Sequence, residues 1–463
     1  MTLTHDQQNA LQSLADFYLS PPPNQIALTG GAGVGKSFLL AHFIGEVCHQ
    51  HHVILLAPTH KAKGVLTDFV DENSLDVKVN TISSFLGLRP VVNAKGKRYF
   101  GIETTSPDSR FYRKEYLPQD KCVETIEKKS NSTPRLVVVD EASMLKDFEY
   151  YLLVYCAKKL NFSLLWCGDN CQLPPIQKHK PINVSKPFSG KIAQVELREI
   201  VRYQGEVLKL CTELRNNILE NKLVIPDYKQ FWQPNFKSKS INYFKHNCDA
   251  QVIAWLNRTV DAYNDDIRES LYGECAENYE LLAGERVVLN SSYNNLPTGM
   301  SLYVEEVENC DDLYAPFANE FSNSWITLRD KLNLSDALIS DLRWQYFRAK
   351  ARNIYTEFYF VPSSSLSTWT SFKTTLRKKV SAYCNEKVKS DYLKKQAWKL
   401  YYMISESHCN FSYGYAITAD KAQGSTYDTV FVDAKDILRR TNLNSIKRFY
   451  VAISRTQNEL FIS

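Results

Sequence analysis

The chain is predicted to be an α/β protein with two parallel sheets, and three observations carry that prediction. Short β-branched runs, "QIALTG", "VILLAP", "RLVVVDE" and "SLLWCGD", each lead into a polar turn and then a helical pattern. Such alternation builds a parallel sheet covered by helices. The same signature returns in "QVIAWLN", "YAIT", "TVFVDA" and the final "ELFIS", which predicts a second sheet. A length of 463 residues, 44% hydrophobic and 23% charged, is ample for more than one core.

Two stretches break this rhythm. Residues 89–127 begin with a hairpin around "NAKGK" and continue as a charged tail, while 285–409 combine a small β-region with long basic helices. Both read as insertions into the sheets. The helical pattern "LRKKVSAYCNEKVKSDYLKKQAWKL" has two readings, a solvated face or a buttress for a nucleic-acid path. A net charge of +5 permits a nucleic-acid partner without requiring one. Eleven cysteines without framework spacing, and no leader-like start, predict reduced thiols in the cytoplasm. No apolar run approaches the ~20 residues of a membrane span, so no membrane partner is expected.

The chemistry begins at "LTGGAGVGKSFLL", which fits G-x-x-x-x-G-K-[ST] directly after a predicted strand and at the start of a helix. Gly30, Gly31, Ala32, Gly33, Val34 and Gly35 would wrap phosphates with backbone N–H groups, because a glycine-rich turn and a helix N-terminus both face anions. Lys36 would reach the β- and γ-phosphates of ATP, and Ser37 would ligate Mg2+. In "RLVVVDEASM", Asp140 would hold the same ion and Glu141 would orient and deprotonate the attacking water. In "LLWCGDNCQLPPI", Asp169 and Gln172 end another strand, and the Gln172 carboxamide could sense the γ-phosphate.

In order, "LTHDQQNAL", "GGAGVGKS", "APTHKAKGVL", "TISSFLGL", "VVVDEASM", "GDNCQLPPI", "ELREIVR", "TADKAQGST" and "YVAISRT" resemble the motif series of superfamily 1 DNA helicases. The series is most similar to the RecD-like 1B branch and, within it, to the Dda-type phage helicases. The resemblance implies two RecA-like P-loop motor domains, with an inserted pin and an inserted SH3-like or tower subdomain. Motor domain 1A would cover 1–88 and 128–185, and the pin, 1B, 89–127. Motor domain 2A would cover 186–284 and 410–463, and subdomain 2B 285–409.

The resemblance also assigns roles. Gln7 would read the adenine edge, and Arg202 and Arg455 would reach the γ-phosphate from the second motor domain. Thr59, His60 and Thr81 would touch single-stranded DNA, as would Ser425 and Thr426. Gln423 and Gly424 would face the nucleotide. Pro90 and Phe100 would form the strand-separating pin, with Tyr99 a competitor for the tip. One departure stands out: Asp420 occupies the position where the family commonly has histidine, and a carboxylate repels phosphate. Pairing with a neighbouring cation, or a tuned grip on the strand, would account for it.

The implied activity is ATP-dependent translocation on single-stranded DNA, 5′-to-3′, with duplex unwinding in replication, recombination or repair. Forked DNA is the expected partner, a single-strand-binding protein or replication and recombination factors are expected associates, and a monomer is expected. The rivals are an RNA-directed helicase and an accessory ATPase that clears bound proteins. A P-loop kinase or GTPase is disfavoured by the lack of a guanine-reading Asn-Lys-x-Asp sequence. "CHQHH", residues 48–52, is set aside as a metal site because its ligands are too close together along the chain.

Overall fold

The computed structural model describes residues 3–102, 119–129, 133–175, 184–199, 205–246, 249–293, 296, 298–310, 320–335, 344–351, 354–386 and 389–463. The chain forms two units, one of residues 1–88, 118–267 and 415–463, the other of 89–117 and 268–414.

The first unit holds both predicted parallel sheets. The larger runs Lys78–Thr81, Val53–Ala57, Leu136–Val139, Ser163–Gly168, Gln25–Gly30, Ala193–Leu197. Its central strands "VILLA", "LVVV" and "SLLWCG" are buried at every residue, as expected of a parallel sheet covered on both faces. Helix His5–Leu19 starts at a capping box in which Thr4 and Gln7 satisfy each other's backbone N–H groups. The second sheet runs Ala416–Thr418, Ala250–Ala254, Tyr427–Val432, Thr456–Ile462, all parallel. Helix Leu443–Ile453 buries Ile446, Lys447, Phe449 and Tyr450 among others, and the amphipathic pattern of "LNSIKRFYVAI" foretells only the apolar part.

Three boundaries differ from the sequence reading. Strand Ala193–Leu197 pairs in parallel with Gln25–Gly30, so the chain after 186 is still completing the first sheet. Helix Gln119–Lys129 belongs to the first unit, where Cys122 and Ile126 are buried and Tyr155 OH donates to Asp120 Oδ1 at 2.7 Å. Strand Phe411–Tyr413 pairs with Arg286–Leu289 in the second unit, which therefore extends to Gly414 rather than 409. An isolated short strand carries no sequence mark of the sheet it will join, because its partners are chosen by tertiary packing.

The second unit contains an antiparallel sheet, Ile354–Phe360, Trp344–Ala351, Ser301–Cys310, Arg286–Leu289, Phe411–Tyr413. Phe347 and Phe358 stack at 4.8 Å in its core. Helices Glu320–Leu332, Leu366–Asn385 and Asp391–Ser405 enclose a second core around Trp325, Trp369 and Trp398. The "NAKGK" hairpin, Arg89–Val92 with Arg98–Gly101, docks on the last of these helices. Tyr402 OH donates to the Gly96 carbonyl at 2.8 Å, the Arg98 guanidinium lies 4.2 Å from the Tyr402 ring centroid, and Arg98 pairs with Glu406. Backbone register sets Pro90, which is exposed, opposite Phe100 and Val91 opposite Tyr99. The charged tail, 103–118, lies outside the described residues.

His408 packs edge-on against Trp369 at 5.4 Å, and its Nδ1 meets no hydrogen-bond partner among the described residues. Burial first, and then Lys373, pulls the imidazole down to about 4. In the unfolded chain it titrates near ~6.5, so the unfolded state gains the proton first as pH falls. Its contribution to stability is therefore complete above that pH and is lost toward pH 4, at about 1.4 kcal/mol per unit. Urea unfolding at pH 7 and pH 5 should differ by about 2 kcal/mol from this group, and by less in His408→Phe. Identical pH dependence in both proteins would remove His408 as the cause.

Candidate active site

The P-loop leaves strand Gln25–Gly30 and enters helix Lys36–His42 at the C-terminal edge of the first sheet. Gly35 caps that helix with φ of 79°, a conformation that L side chains rarely adopt. A Cβ at Gly30 would lie 2.8 Å from both the Leu197 carbonyl oxygen and Val34 Cγ2, so only glycine fits. Lys36 Nζ donates to the carbonyls of Gly30 at 2.8 Å and Gly31 at 3.0 Å. Ser37 is exposed on the first turn of the helix. Gln7 is buried beneath the loop: Nε2 donates to the Val34 carbonyl at 3.1 Å, and Oε1 accepts from Thr4 N at 3.1 Å. Its carboxamide thus braces the P-loop, with one Nε2 hydrogen left for an adenine edge.

Strand Leu136–Val139 brings Asp140 and Glu141 to the same edge. Glu141 takes the left-handed conformation, φ 49°, which costs a residue with a Cβ roughly 1 kcal/mol or more. Burial pushes both carboxyls above the usual carboxylate range. At Glu141 the Asp140 charge adds to this, while Arg455 and Lys36 act the other way. Glu141 Oε2 is buried and meets no hydrogen-bond partner among the described residues. Two desolvated carboxyls with an unpartnered oxygen at a P-loop suit a divalent cation.

The second parallel sheet closes the site. Helix Leu443–Ile453 delivers Tyr450, whose OH donates to Asp169 Oδ2 at 2.8 Å and accepts from Ala32 N at 3.1 Å. The same helix places Lys447 Nζ 3.1 Å from the Asn170 carbonyl and ends just before Arg455. Arg455 is buried and fixed by three bonds, from Nε to the Val451 carbonyl at 3.0 Å, Nη2 to Ser454 Oγ at 2.9 Å and Nη1 to the Ser425 carbonyl at 3.3 Å. Gln423 Nε2 donates to Gln172 Oε1 at 3.0 Å, so the two carboxamides expected to face nucleotide bind each other. Arg202 lies outside the described residues.

At the positions expected to meet a nucleic-acid strand, threonine hydroxyls cap helices. Thr59 Oγ1 accepts from Ala62 N at 3.1 Å and Thr81 Oγ1 from Ser84 N at 3.1 Å. The cap uses Thr59 Oγ1 as an acceptor only and leaves its hydroxyl hydrogen available, and His60 beside it is exposed. Thr81 is only 4% exposed, so its hydroxyl serves the cap and is not presented to a strand. Gly424, φ 77°, turns the chain so that Ser425 is half-buried and Thr426 exposed. Asp420 has a cation: Arg448 Nε lies 3.4 Å from Oδ2, and the guanidinium sits 4.9 Å from the Trp255 ring centroid. Its negative charge is thereby offset within the protein.

Sequence reasoning assigned nothing to Tyr450 or Lys61, although both stand inside quoted motifs. Lys61 Nζ donates to the Lys421 carbonyl at 3.0 Å, linking the helix after Thr59 to the "DKAQGS" turn. Burial first, then Arg455 and Lys421, pulls its ammonium down to about 8. The available signal was a polar group in an otherwise apolar helical face at Tyr450, and a second cation near His60 at Lys61.

Residues 2–223 match the model of an AAA domain, and residues 413–463 that of a UvrD-like helicase C-terminal domain. Over 516 positions the chain is 22% identical to an uncharacterized protein of Acanthamoeba polyphaga mimivirus, covering 98% of each. Among solved structures it resembles Pif1 helicase from Candida albicans, with a TM-score of 0.51, 16% identity, and 100% of this chain and 95% of that one covered. It is similar to Pif1 helicase from Bacteroides in complex with ADP-AlF3 and single-stranded DNA, at 0.51 and 16%, covering 99% and 92%. A structure of forked duplex unwinding by two coordinating Pif1 helicases matches at 0.53 and 16%, covering 99% and 92%. Such identities speak for the fold, and the domain matches add to it: the chain carries an AAA domain and a UvrD-like helicase C-terminal domain on a fold shared with the Pif1 helicases.

Proposed function

We propose that the chain is an ATP-dependent DNA helicase that moves 5′-to-3′ on single-stranded DNA and unwinds forked duplex. One observation carries the reading: Lys36, Asp140 and Glu141 from the first motor sheet share one electrostatic site with Arg455 from the second. Glu141, as carboxylate, takes the proton of a water whose oxygen attacks the γ-phosphorus, and the β–γ bridging oxygen leaves. Lys36 neutralises the β- and γ-phosphate oxygens, Arg455 the charge that spreads as the bond breaks, and Gln7 steadies the loop on which both phosphates rest. Mg2+, held through Ser37 and Asp140, would supply charge neutralisation when bound. Nucleotide bridging two sheets and released on hydrolysis gives a ligand-driven change between them. Thr59, His60, Ser425 and Thr426 position the strand through its phosphates, and the hairpin of Pro90 and Phe100 stands as the separating pin.

Strand displacement with 5′-tailed and 3′-tailed DNA and RNA duplexes, with and without ATP, tests the reading. ATP-dependent displacement of the 5′-tailed DNA alone is expected. Displacement of RNA alone would replace it with an RNA helicase, and DNA-stimulated hydrolysis without displacement would replace it with an accessory ATPase.

A further inference from the structure

The turn from Lys421 to Ser425 is tied at three points to three different parts of the motor. Lys61, from the helix that follows Thr59 and His60, donates to the Lys421 carbonyl at 3.0 Å. Gln423 Nε2 donates to Gln172 Oε1 at 3.0 Å, on the nucleotide side. The Ser425 carbonyl accepts from Arg455 Nη1 at 3.3 Å. A displacement entering at Lys421 is therefore felt, within five residues, by the backbone that holds Arg455.

Lys61 is an unfavourable choice if packing were its only duty. It is half-buried, and Arg455 and Lys421 both oppose its charge. A neutral side chain would suit that place better, and residues that break a local rule in this way cluster where a function needs them. The helix His60–Glu72 has its N-terminus capped by Thr59, so Thr59, His60 and Lys61 move as one body. A strand phosphate bound at that N-terminus shifts this body, and the Lys61 ammonium reports the shift to the turn.

We propose that Lys61 is a positioning residue that couples occupancy of the single strand to ATP turnover by setting the turn that holds Arg455. The proposal rests on the helicase reading. It differs from a strand-binding role, because the bond that defines it runs from Lys61 Nζ to the Lys421 carbonyl in the second motor domain rather than to a phosphate. It differs from a catalytic role, because the groups that set the Glu141 carboxyl are Asp140, Arg455, Lys36 and Asp169 rather than Lys61.

The test is steady-state ATP hydrolysis by the full chain, with and without saturating oligo-dT, in wild type, Lys61→Met and Lys61→Arg. Lys61→Met should keep basal turnover and the KM for ATP within about twofold of wild type, yet lose at least tenfold of its DNA-stimulated kcat. Lys61→Arg, which keeps a cation and donor, should recover at least half of the stimulation. Oligo-dT affinity, read by fluorescence anisotropy, should stay within about threefold in both. Three outcomes would overturn the proposal: full stimulation of Lys61→Met, equal loss of basal and stimulated turnover, or recovery of full kcat simply by adding more DNA. Should Lys61→Met fail to fold by circular dichroism, Lys61→Gln is held to the same criteria. A wild-type enzyme that hydrolyses ATP without any response to DNA would instead defeat the helicase reading itself, so the two failures separate in the wild-type arm.

Discussion

Arg455→Ala should lower kcat for ATP hydrolysis by ~10³ to 10⁵, about 4 to 7 kcal/mol of transition-state stabilisation, while nucleotide affinity changes little. The guanidinium is fixed before any substrate arrives, by bonds to the Val451 carbonyl, Ser454 Oγ and the Ser425 carbonyl. Its charge acts on Glu141, a residue of the other motor sheet. A preorganised cation loses nothing to reorientation as charge develops on the leaving phosphate. Arg455→Lys should be nearly as impaired, because a single ammonium cannot satisfy three acceptors spread over a planar fork. Single-turnover hydrolysis paired with fluorescent-nucleotide binding measures both quantities. A loss under tenfold in Arg455→Ala, with the protein folded, would remove the residue from the site.

Glu141→Gln should lower kcat by ~10² to 10⁴, the usual worth of a general base. The substitution keeps shape and removes only the proton-accepting charge, so ATP and oligo-dT should bind as in wild type. The same change should raise the thermal unfolding temperature. Asp140 and Glu141 are two desolvated carboxyls, the Asp140 charge makes Glu141 harder still to ionise, and Glu141 Oε2 is buried without a partner among the described residues. A variant that is slower and also more stable is the mark of a site whose charge is retained for chemistry. Normal turnover would reject Glu141 as base, and a lower unfolding temperature would reject the account of its burial.

Much of the site was legible in the sequence because its rules are local. The spacing from Gly30 to Ser37 requires a left-handed glycine, a close backbone approach and a helix N-terminus within eight residues, and each is present where expected. The run "RLVVVDE" could end only at the C-terminal edge of a covered parallel strand, which is where Asp140 and Glu141 stand.

Residues whose meaning depends on distant partners were read incompletely. Gln7, read as an adenine-facing group, also braces the Val34 carbonyl, a contact that its own motif does not announce. Asp420 was the departure that sequence alone left open. Its partner Arg448 lies in helix Leu443–Ile453, and only folding brings the guanidinium to both Trp255 and the carboxylate.

By itself, the sequence determined which short segments are strands, which turns cradle phosphate and in what order the motor's parts occur, since hydrophobic periodicity, glycine geometry and helix capping act within a few residues. Only the tertiary structure decided that Ala193–Leu197 completes the first sheet, that Tyr450 OH joins Ala32 to Asp169, and that Lys61 meets Lys421. The physical reason is that these choices are made by which surfaces pack together. A buried hydroxyl, ammonium or strand edge takes whatever partner packing sets within about 3 Å, however far away that partner is along the chain.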